Sequence, residues 1–505
     1  MFDLYKLQNG SDIRGVAIDG VTNEAKNLGE EECAALAKGF VRLLKRKTGK
    51  ECLCISVGHD SRISAPYLKE AITSSLQNCG CHVYDCGLSS TPSMFMSTVF
   101  EDFKCDGAIM ITASHLPYNR NGMKFFNQEG GLNKSDITAL ITESYKEDEF
   151  FSDGKIEKRD LISVYCNFLV DLIKREVNSE DYDHPLKGMR IIVDAGNGAG
   201  GFYANKVLKV LGASIEGSQF LDPDGNFPNH IPNPENKEAM ASITSAVKKY
   251  RADLGIIFDT DVDRSSAVDR YGNEISRNAI VALASALVCE DHPHTTIVTD
   301  SVTSDELSEF IENELGGIHH RFQRGYKNVI NEAIRLNEEG IDCQLAIETS
   351  GHAALKENYF LDDGAYLATK IVIKAAKMHR EGHSFDELIK NLKHPLEEKE
   401  LRFYINDSEF KAYGDEVLAQ LKEYPITHPA FQLAPINHEG LRFSFDEAHG
   451  NGWCLLRKSL HDPILPLNIE SNSEGGCKII AQQMYEFLAS FEKLDLSAIQ
   501  QYLNQ

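Results

Sequence analysis

Apolar positions along this 505-residue chain fall into short buried runs and longer amphipathic stretches, and the two alternate. Residues 30 to 47 put Cys33, Leu36, Ala37, Phe40, Val41 and Leu44 on one face, with acids in the first turn and bases in the last, which predicts a helix. Cys52 to Val57 reads as a buried strand, Ala65 to Asn78 as a helix and Cys81 to Asp85 as another strand. A further strand, Ala108 to Ile111, leads into Thr112-Ala113-Ser114-His115-Leu116-Pro117, and a second apolar pair follows Lys124. Asp136 to Tyr145 is expected as the last helix of this unit, and the charged stretch 150 to 160 as a connection.

The alternation then repeats. A helix is expected over Leu161 to Val177 and a strand over Arg190 to Asp194, ending in the glycine-rich run 195 to 201. That run fits neither dinucleotide nor P-loop spacing, so it reads as a tight turn that lets strand and helix pack closely. The Pro/Asn/Gly-rich stretch 221 to 240 reads as ordered turns or a linker, and Leu254 to Phe258 as a strongly apolar strand. Ser266 to Val268 and the turn after Asp269 close the second unit as a hairpin. The third has a helix from Ala279, a strand Thr295 to Val298, helices after Asp305 and Lys327, and a strand Gln344 to Ile347. Beyond His394 the character changes to short strands, Leu441 to Phe445 and Gly452 to Leu456, and a helix Lys478 to Phe491. This order predicts α/β units followed by a different final domain.

Composition narrows the classes. Apolar residues make up 42% and charged ones 25%, as in ordinary globular proteins. With 52 basic and 76 acidic residues the net charge is −24, which argues against a nucleic-acid surface. The N-terminal residues lack an apolar signal core, and no run of about 18 apolar residues occurs, so neither export nor membrane insertion is expected and a cytoplasmic location is. Twelve cysteines lie scattered, among them Cys52, Cys54, Cys166, Cys289 and Cys343, and are expected as buried reduced thiols. Cys79, Cys81 and Cys86, and the pairs His292/His294 and His319/His320, lack zinc-site spacing; the histidines are expected as solvated loop residues.

The candidate chemistry sits where strands end. Ser114 needs help to act as a nucleophile, and His115 and Lys124 are of the right kinds to give it. Asp259, Asp261 and Asp263 alternate after the 254–258 strand. Three crowded carboxylates repel one another unless a cation lies among them, and Mg²⁺ suits such oxygens, with Arg264 following. Glu348, Ser350 and His352 alternate too, so an extended loop would project them together toward a polar ligand's hydroxyls. Arg457, Ser459 and His461 are either a phosphate clasp or an ordinary basic turn.

Taken in order, these motifs resemble the α-D-phosphohexomutase family over essentially the whole chain. TASHLPYNRNGMK is similar to its phosphoserine loop, DTDVDR to its metal loop, ETSGH to its sugar loop and RKSLHDP to its phosphate loop; SDIRG, GHDSR, PDGNFPNHIPNP and RGYKNVI also resemble family segments. The resemblance implies a four-domain α/β architecture: three similar mixed α/β domains (1–155, 156–275 and 276–392) and a smaller C-terminal α+β domain (393–505) around a central cleft. It implies Ser114 as phosphoryl carrier beside His115, Lys124, Arg14 and Arg264; Mg²⁺ held by Asp259, Asp261, Asp263 and the Ser114 phosphate; and substrate contacts from Lys327, Glu348, Ser350, His352, Arg457, Ser459 and His461. The implied activity interconverts the 1- and 6-phosphates of glucose or mannose through a bisphosphorylated sugar, with a sugar 1,6-bisphosphate as activator and Lys124 or His115 as general base. A phosphoglucosamine mutase and a weakly catalytic sugar-phosphate binding or regulatory protein are the alternatives, and a monomer or homodimer without nucleic-acid or membrane partners is expected. The chain departs from the family pattern at Leu116 (asparagine), at Thr260 and Val262 (glycines), and at Leu460-His461-Asp462.

Overall fold

Four sheets, one per domain, arrange the chain in this computed structural model, which describes residues 3–147, 154–459 and 462–505. The first runs Gln8–Asn9, Asp12–Val16, Arg120–Asn127, Gly107–Ile111, Cys54–His59, His82–Leu88, Lys155–Lys158, with Gly130–Gly131 beside Arg120–Asn127. Cys54–His59 pairs in parallel with Gly107–Ile111 and with His82–Leu88. Their C-terminal ends therefore open at one edge, as parallel strands with crossover helices must. Helices Glu30–Thr48, Ala65–Asn78 and Lys134–Ser144 cover one face, and Thr91–Met96 and Leu161–Val177 cover the other.

The expected connection at 150–160 is different: Lys155–Lys158 is an edge strand, parallel to His82–Leu88. Its sequence, KIEK, is half-exposed or exposed throughout, so no apolar alternation marks it.

The second sheet orders Glu274–Ile275, Ser265–Asp269, Leu254–Phe258 and Ile191–Asp194. The helix expected after the glycine-rich run is a short π-type turn, Tyr203–Leu208. The third sheet orders Ile318–Arg321, Thr296–Thr299, Cys343–Ile347, Ala353–Leu355 and Leu361–Asp362. His319 and His320 are thus strand residues, not solvated loop ones: His319 bonds Thr299 and Ser308, and His320 bonds Glu332. The final sheet includes Glu397–Ile405 and Ile464–Ser471, which pair over eight residue positions, besides the expected Leu441–Phe445 and Gly452–Leu456. Helices Phe410–Glu423 and Gly476–Leu488 pack on its apolar face. The cysteines form no disulfide and are mostly buried, as expected, but Cys52 is exposed.

One apolar core runs from the back of the first sheet through the second domain into the third, which packs these three together around the cleft. Tyr165 crosses it to donate to Asp363 at 2.6 Å. The fourth domain attaches by a smaller contact, Val302 against Trp453 and Leu455. Among the described residues no helix is long and apolar enough to cross a membrane.

Candidate active site

The fully buried strand Gly107–Ile111 delivers Ser114 to the cleft. Ser114 has φ 49°, a left-handed conformation uncommon outside glycine. Its N–H donates to Thr112 Oγ1 at 2.9 Å. Its hydroxyl donates to Asp259 Oδ2 at 2.9 Å and accepts from Arg264 Nη2 at 2.8 Å. The same Nη2 donates to His115 Nδ1 at 2.5 Å. His115 is partly open to solvent, but its Nδ1 accepts from the guanidinium and so carries no proton, which makes the imidazole neutral. Desolvation, then the charges of Arg264 and Arg14, lower it from its ordinary value in the same direction.

Asp259, Asp261 and Asp263 follow the buried strand Leu254–Phe258, all fully buried, with ligand-type oxygens within 4.8 Å of one another. Burial and then its two neighbours push Asp259 well above the carboxylate range. Asp261 also accepts from Thr91 Oγ1 at 2.5 Å. Asp261 Oδ1 and Asp263 Oδ1 are buried without a hydrogen-bond partner. Buried acceptors left unpaired are costly, and all-oxygen donors of this kind suit a hard divalent cation, so the residues fit one. The turn is shaped by Val262 at φ 67° and backed by Gly198, where a Cβ would lie 2.6 Å from Thr260 O. The glycine-rich run is therefore the tight turn expected, and it packs against the acidic loop.

Lys124 lies between two of these acids, hydrogen-bonded to Asp263 and 3.6 Å from Asp261. Burial works against its charge, but Asp263 and then Asp261 outweigh it and hold the ammonium protonated. Neither expected general base has a free lone pair in this arrangement: Lys124 is charged, and neutral His115 accepts through Nδ1 and so carries its proton on Nε2. Arg14 donates to Thr112 O and to Asp12, each at 2.8 Å, bracing the strand end before Ser114. Lys327 opens helix Tyr326–Glu338 and lines a pocket between the first and third domains with Lys124, Gly131 and Asp362; desolvation lowers its amine to about 8.

The sugar-type loop is a hairpin turn and not the extended segment expected. Gly351, at φ 93°, donates to Glu348 O, and Glu348 N–H donates to His352 O at 2.9 Å. The side chains consequently reach different partners. Glu348 accepts from Gly325 N–H at 2.6 Å, Ser350 Oγ is buried without a partner, and His352 bonds Asp362 while stacking on Tyr326 at 5.2 Å. In the fourth domain Arg457 is buried, 3.6 Å from Glu439, with its Nε unpaired. Ser459 Oγ accepts from Asp462 N–H at 3.2 Å. His461 lies outside the described residues.

Sequence reasoning missed three contributors. Thr91 caps the acidic loop from the first domain. Glu235 places one carboxylate oxygen 3.8 Å from Arg264 and the other 3.7 Å from Arg324. Arg62 lies fully buried behind Ser114. Only the last had a signal, an arginine in the loop after a buried strand, GHDSR.

The fold and this serine–arginine–acid junction define a multidomain α/β protein with a polar site where its domains meet, and comparison with known proteins specifies its family. Residues 6–152, 164–272 and 276–395 match the phosphoglucomutase/phosphomannomutase alpha/beta/alpha domains I, II and III. A phosphomannomutase/phosphoglucomutase of Pseudomonas aeruginosa is 30% identical over 92% of this chain and 91% of that protein. A phosphoglucomutase of Neisseria meningitidis is 28% identical over 97% of each. A solved family protein from Burkholderia thailandensis has the same fold, with TM-score 0.78 at 24% identity over 97% of this chain and 98% of that one. The chain belongs to the phosphoglucomutase/phosphomannomutase family of α-D-phosphohexomutases, and it is a mutase.

Proposed function

We propose that this mutase interconverts the 1- and 6-phosphates of glucose, mannose or both, with Ser114 carrying the transferred phosphoryl group and Mg²⁺ held by Asp259, Asp261 and Asp263. The observation that carries this reading is the convergence on Ser114 Oγ of Asp259 at 2.9 Å and Arg264 at 2.8 Å, beside two unpaired acid oxygens.

Phosphorylated Ser114 gives its phosphoryl group to the free hydroxyl of a bound sugar monophosphate. The seryl O–P bond breaks and the sugar O–P bond forms; the sugar hydroxyl gives up its proton and the seryl oxygen takes one up to become the Ser114 hydroxyl, yielding a sugar 1,6-bisphosphate. The sugar reorients, and its other phosphate returns to Ser114. Arg264 Nη2, already aimed at Ser114 Oγ, stabilises the charge that develops on the departing seryl oxygen. Lys124 adds a fixed positive charge beside Asp261 and Asp263. When bound, Mg²⁺ withdraws charge from the phosphoryl oxygens. Ser350 Oγ, buried without a hydrogen-bond partner, is the group of the 348–352 turn left to bind a sugar hydroxyl, with Glu348 and His352 contributing from their separate positions. Arg457 and Ser459 hold the phosphate that is not transferred. A sugar 1,6-bisphosphate primes unphosphorylated Ser114 by the same transfer.

The test is a coupled assay over glucose, mannose and glucosamine 1-phosphates with Mg²⁺ and a sugar bisphosphate, on the wild type and Ser114→Ala. Turnover of glucose or mannose phosphate, lost in Ser114→Ala with the fold retained, is the expected outcome. Near-wild-type turnover by the alanine variant would overturn the carrier role. Preference for glucosamine phosphate, or binding without turnover, would replace the substrate assignment.

A further inference from the structure

We propose that Arg62 is a positioning residue that fixes the backbone of Ser114 in its left-handed conformation, and that the second domain seats on this clamp from behind. The proposal rests on Ser114 as the phosphoryl carrier.

Arg62 follows the strand Cys54–His59 and is 1% exposed. Its guanidinium donates to four carbonyls of the Ser114 loop: Nη2 to Ser114 O at 2.5 Å and Leu116 O at 2.6 Å, Nη1 to Pro117 O at 2.7 Å and Arg120 O at 2.9 Å. Asp60 supplies the counter-charge, with Oδ2 3.3 Å from Arg62 Nε. The same Oδ2 accepts from Thr112 Oγ1 at 2.7 Å, and that hydroxyl oxygen accepts the Ser114 N–H at 2.9 Å.

The Asp60–Arg62 pair thus holds the peptide on each side of Ser114, the N–H through Thr112 and the C=O directly. Fixing both peptide planes fixes φ and ψ, which is what a serine at φ 49° requires to persist. The catalytic consequence is orientation, since Ser114 Oγ meets Asp259 and Arg264 together from this backbone conformation. A lysine cannot replace the arginine. Its three donors radiate from one nitrogen, whereas the planar fork spans four acceptors.

The clamp's outer side is covered by the second domain's Pro/Asn-rich segment. A Cβ on Gly225 would lie 2.4 Å from Ile63 N and 2.6 Å from Ser61 O, and the Phe227 ring centroid lies 5.4 Å from the Arg62 guanidinium carbon. A shift of that segment is therefore felt at the turn that carries Arg62.

The experiment compares wild type, Arg62→Lys, Arg62→Gln and Gly225→Ala by steady-state kinetics and by amide hydrogen exchange of the substrate-free proteins. In both Arg62 variants kcat is expected to fall about 100-fold with KM within about threefold, the signature of lost orientation. Exchange should rise by at least about tenfold across 112–120 while the helix Glu30–Thr48 keeps its protection. Gly225→Ala should raise exchange in the same loop. An unchanged loop in Arg62→Gln, or retention of both kcat and loop protection by Arg62→Lys, overturns the proposal. Exchange is read without turnover, so this outcome is separable from failure of the carrier assignment, which Ser114→Ala kinetics decide. If Arg62→Gln does not fold, Arg62→Lys carries the test, because it keeps the buried charge and removes only the fork.

Discussion

Ser114 donates its hydroxyl proton to Asp259 at 2.9 Å, joining the loop of one domain to the acidic turn of the next. Asp259 Oδ2 is shared between Ser114 and Arg264, whereas Asp261 Oδ1 and Asp263 Oδ1 accept no hydrogen bond. A divalent cation that binds only the folded site stabilises it by mass action, by about 2.7 kcal/mol at a ligand concentration near 100 Kd. Mg²⁺ is therefore expected to raise the melting temperature of the wild type and of Ser114→Ala. Asp261→Asn and Asp263→Asn should lose most of that shift. Melting curves with EDTA and with increasing Mg²⁺ check this, and a wild type indifferent to Mg²⁺ would remove the metal from the reading.

Lys124 is the buried counter-charge of the same acids. Lys124→Met keeps the length of the side chain but strands its partners, a change that costs about 3 to 5 kcal/mol in buried pairs. The variant should be destabilised most in EDTA and should recover part of the loss in Mg²⁺, because the cation substitutes for the ammonium. Chemical denaturation of both proteins under both conditions tests the compensation; a deficit that ignores Mg²⁺ contradicts it.

Val262 is fully buried at φ 67°, where a β-branched residue is strained. Val262→Ala loses buried methyl groups and keeps the strain, while Val262→Gly loses one carbon more and relieves it. Glycine is thus expected to be more stable than alanine here by about 1 kcal/mol, the reverse of their usual order. Equilibrium unfolding of the pair decides it. An alanine variant that is the more stable would show that the loop, and not residue 262, sets the backbone angle.

Sequence pattern made the strand ends legible because each chemical loop follows an unbroken apolar run. Leu254–Phe258, Ala65–Asn78 and Leu161–Val177 appear with the bounds their periodicity predicts. The edge strands Lys155–Lys158 and Ile318–Arg321 carry polar residues, and Glu397–Ile405 begins as a charge run, so periodicity missed them. Residue types in the site were readable, but their partners were not. Thr91 and Asp261 are 170 positions apart, and Arg62 works through backbone carbonyls that any sequence would supply. The turn that splays Glu348 from His352 depends on the left-handed Gly351, which the alternation of polar residues conceals.

Glu470 marks the contact between the third and fourth domains. Its carboxylate accepts from Trp453 Nε1 at 3.0 Å, and Arg442 lies 3.5 Å over the same indole. Burial pushes Glu470 up to about 7; Arg442 opposes that shift, and Glu306 and Glu398 add to it. Because the folded-state value exceeds the ordinary 4.5, the native protein holds a proton that the unfolded chain releases between about pH 4.5 and 7. The group's contribution therefore falls as pH rises through that window, by on the order of 3 kcal/mol in all. Glu470→Gln keeps an acceptor for Trp453 and removes the charge. It should match the wild type near pH 5, exceed its stability at pH 8 and flatten the dependence between them. Trp453 is the chain's single tryptophan, so its fluorescence during denaturation at each pH reports this domain contact directly. Parallel curves for the two proteins from pH 5 to 8 would show that Glu470 is ionised throughout and that Arg442 prevails over burial.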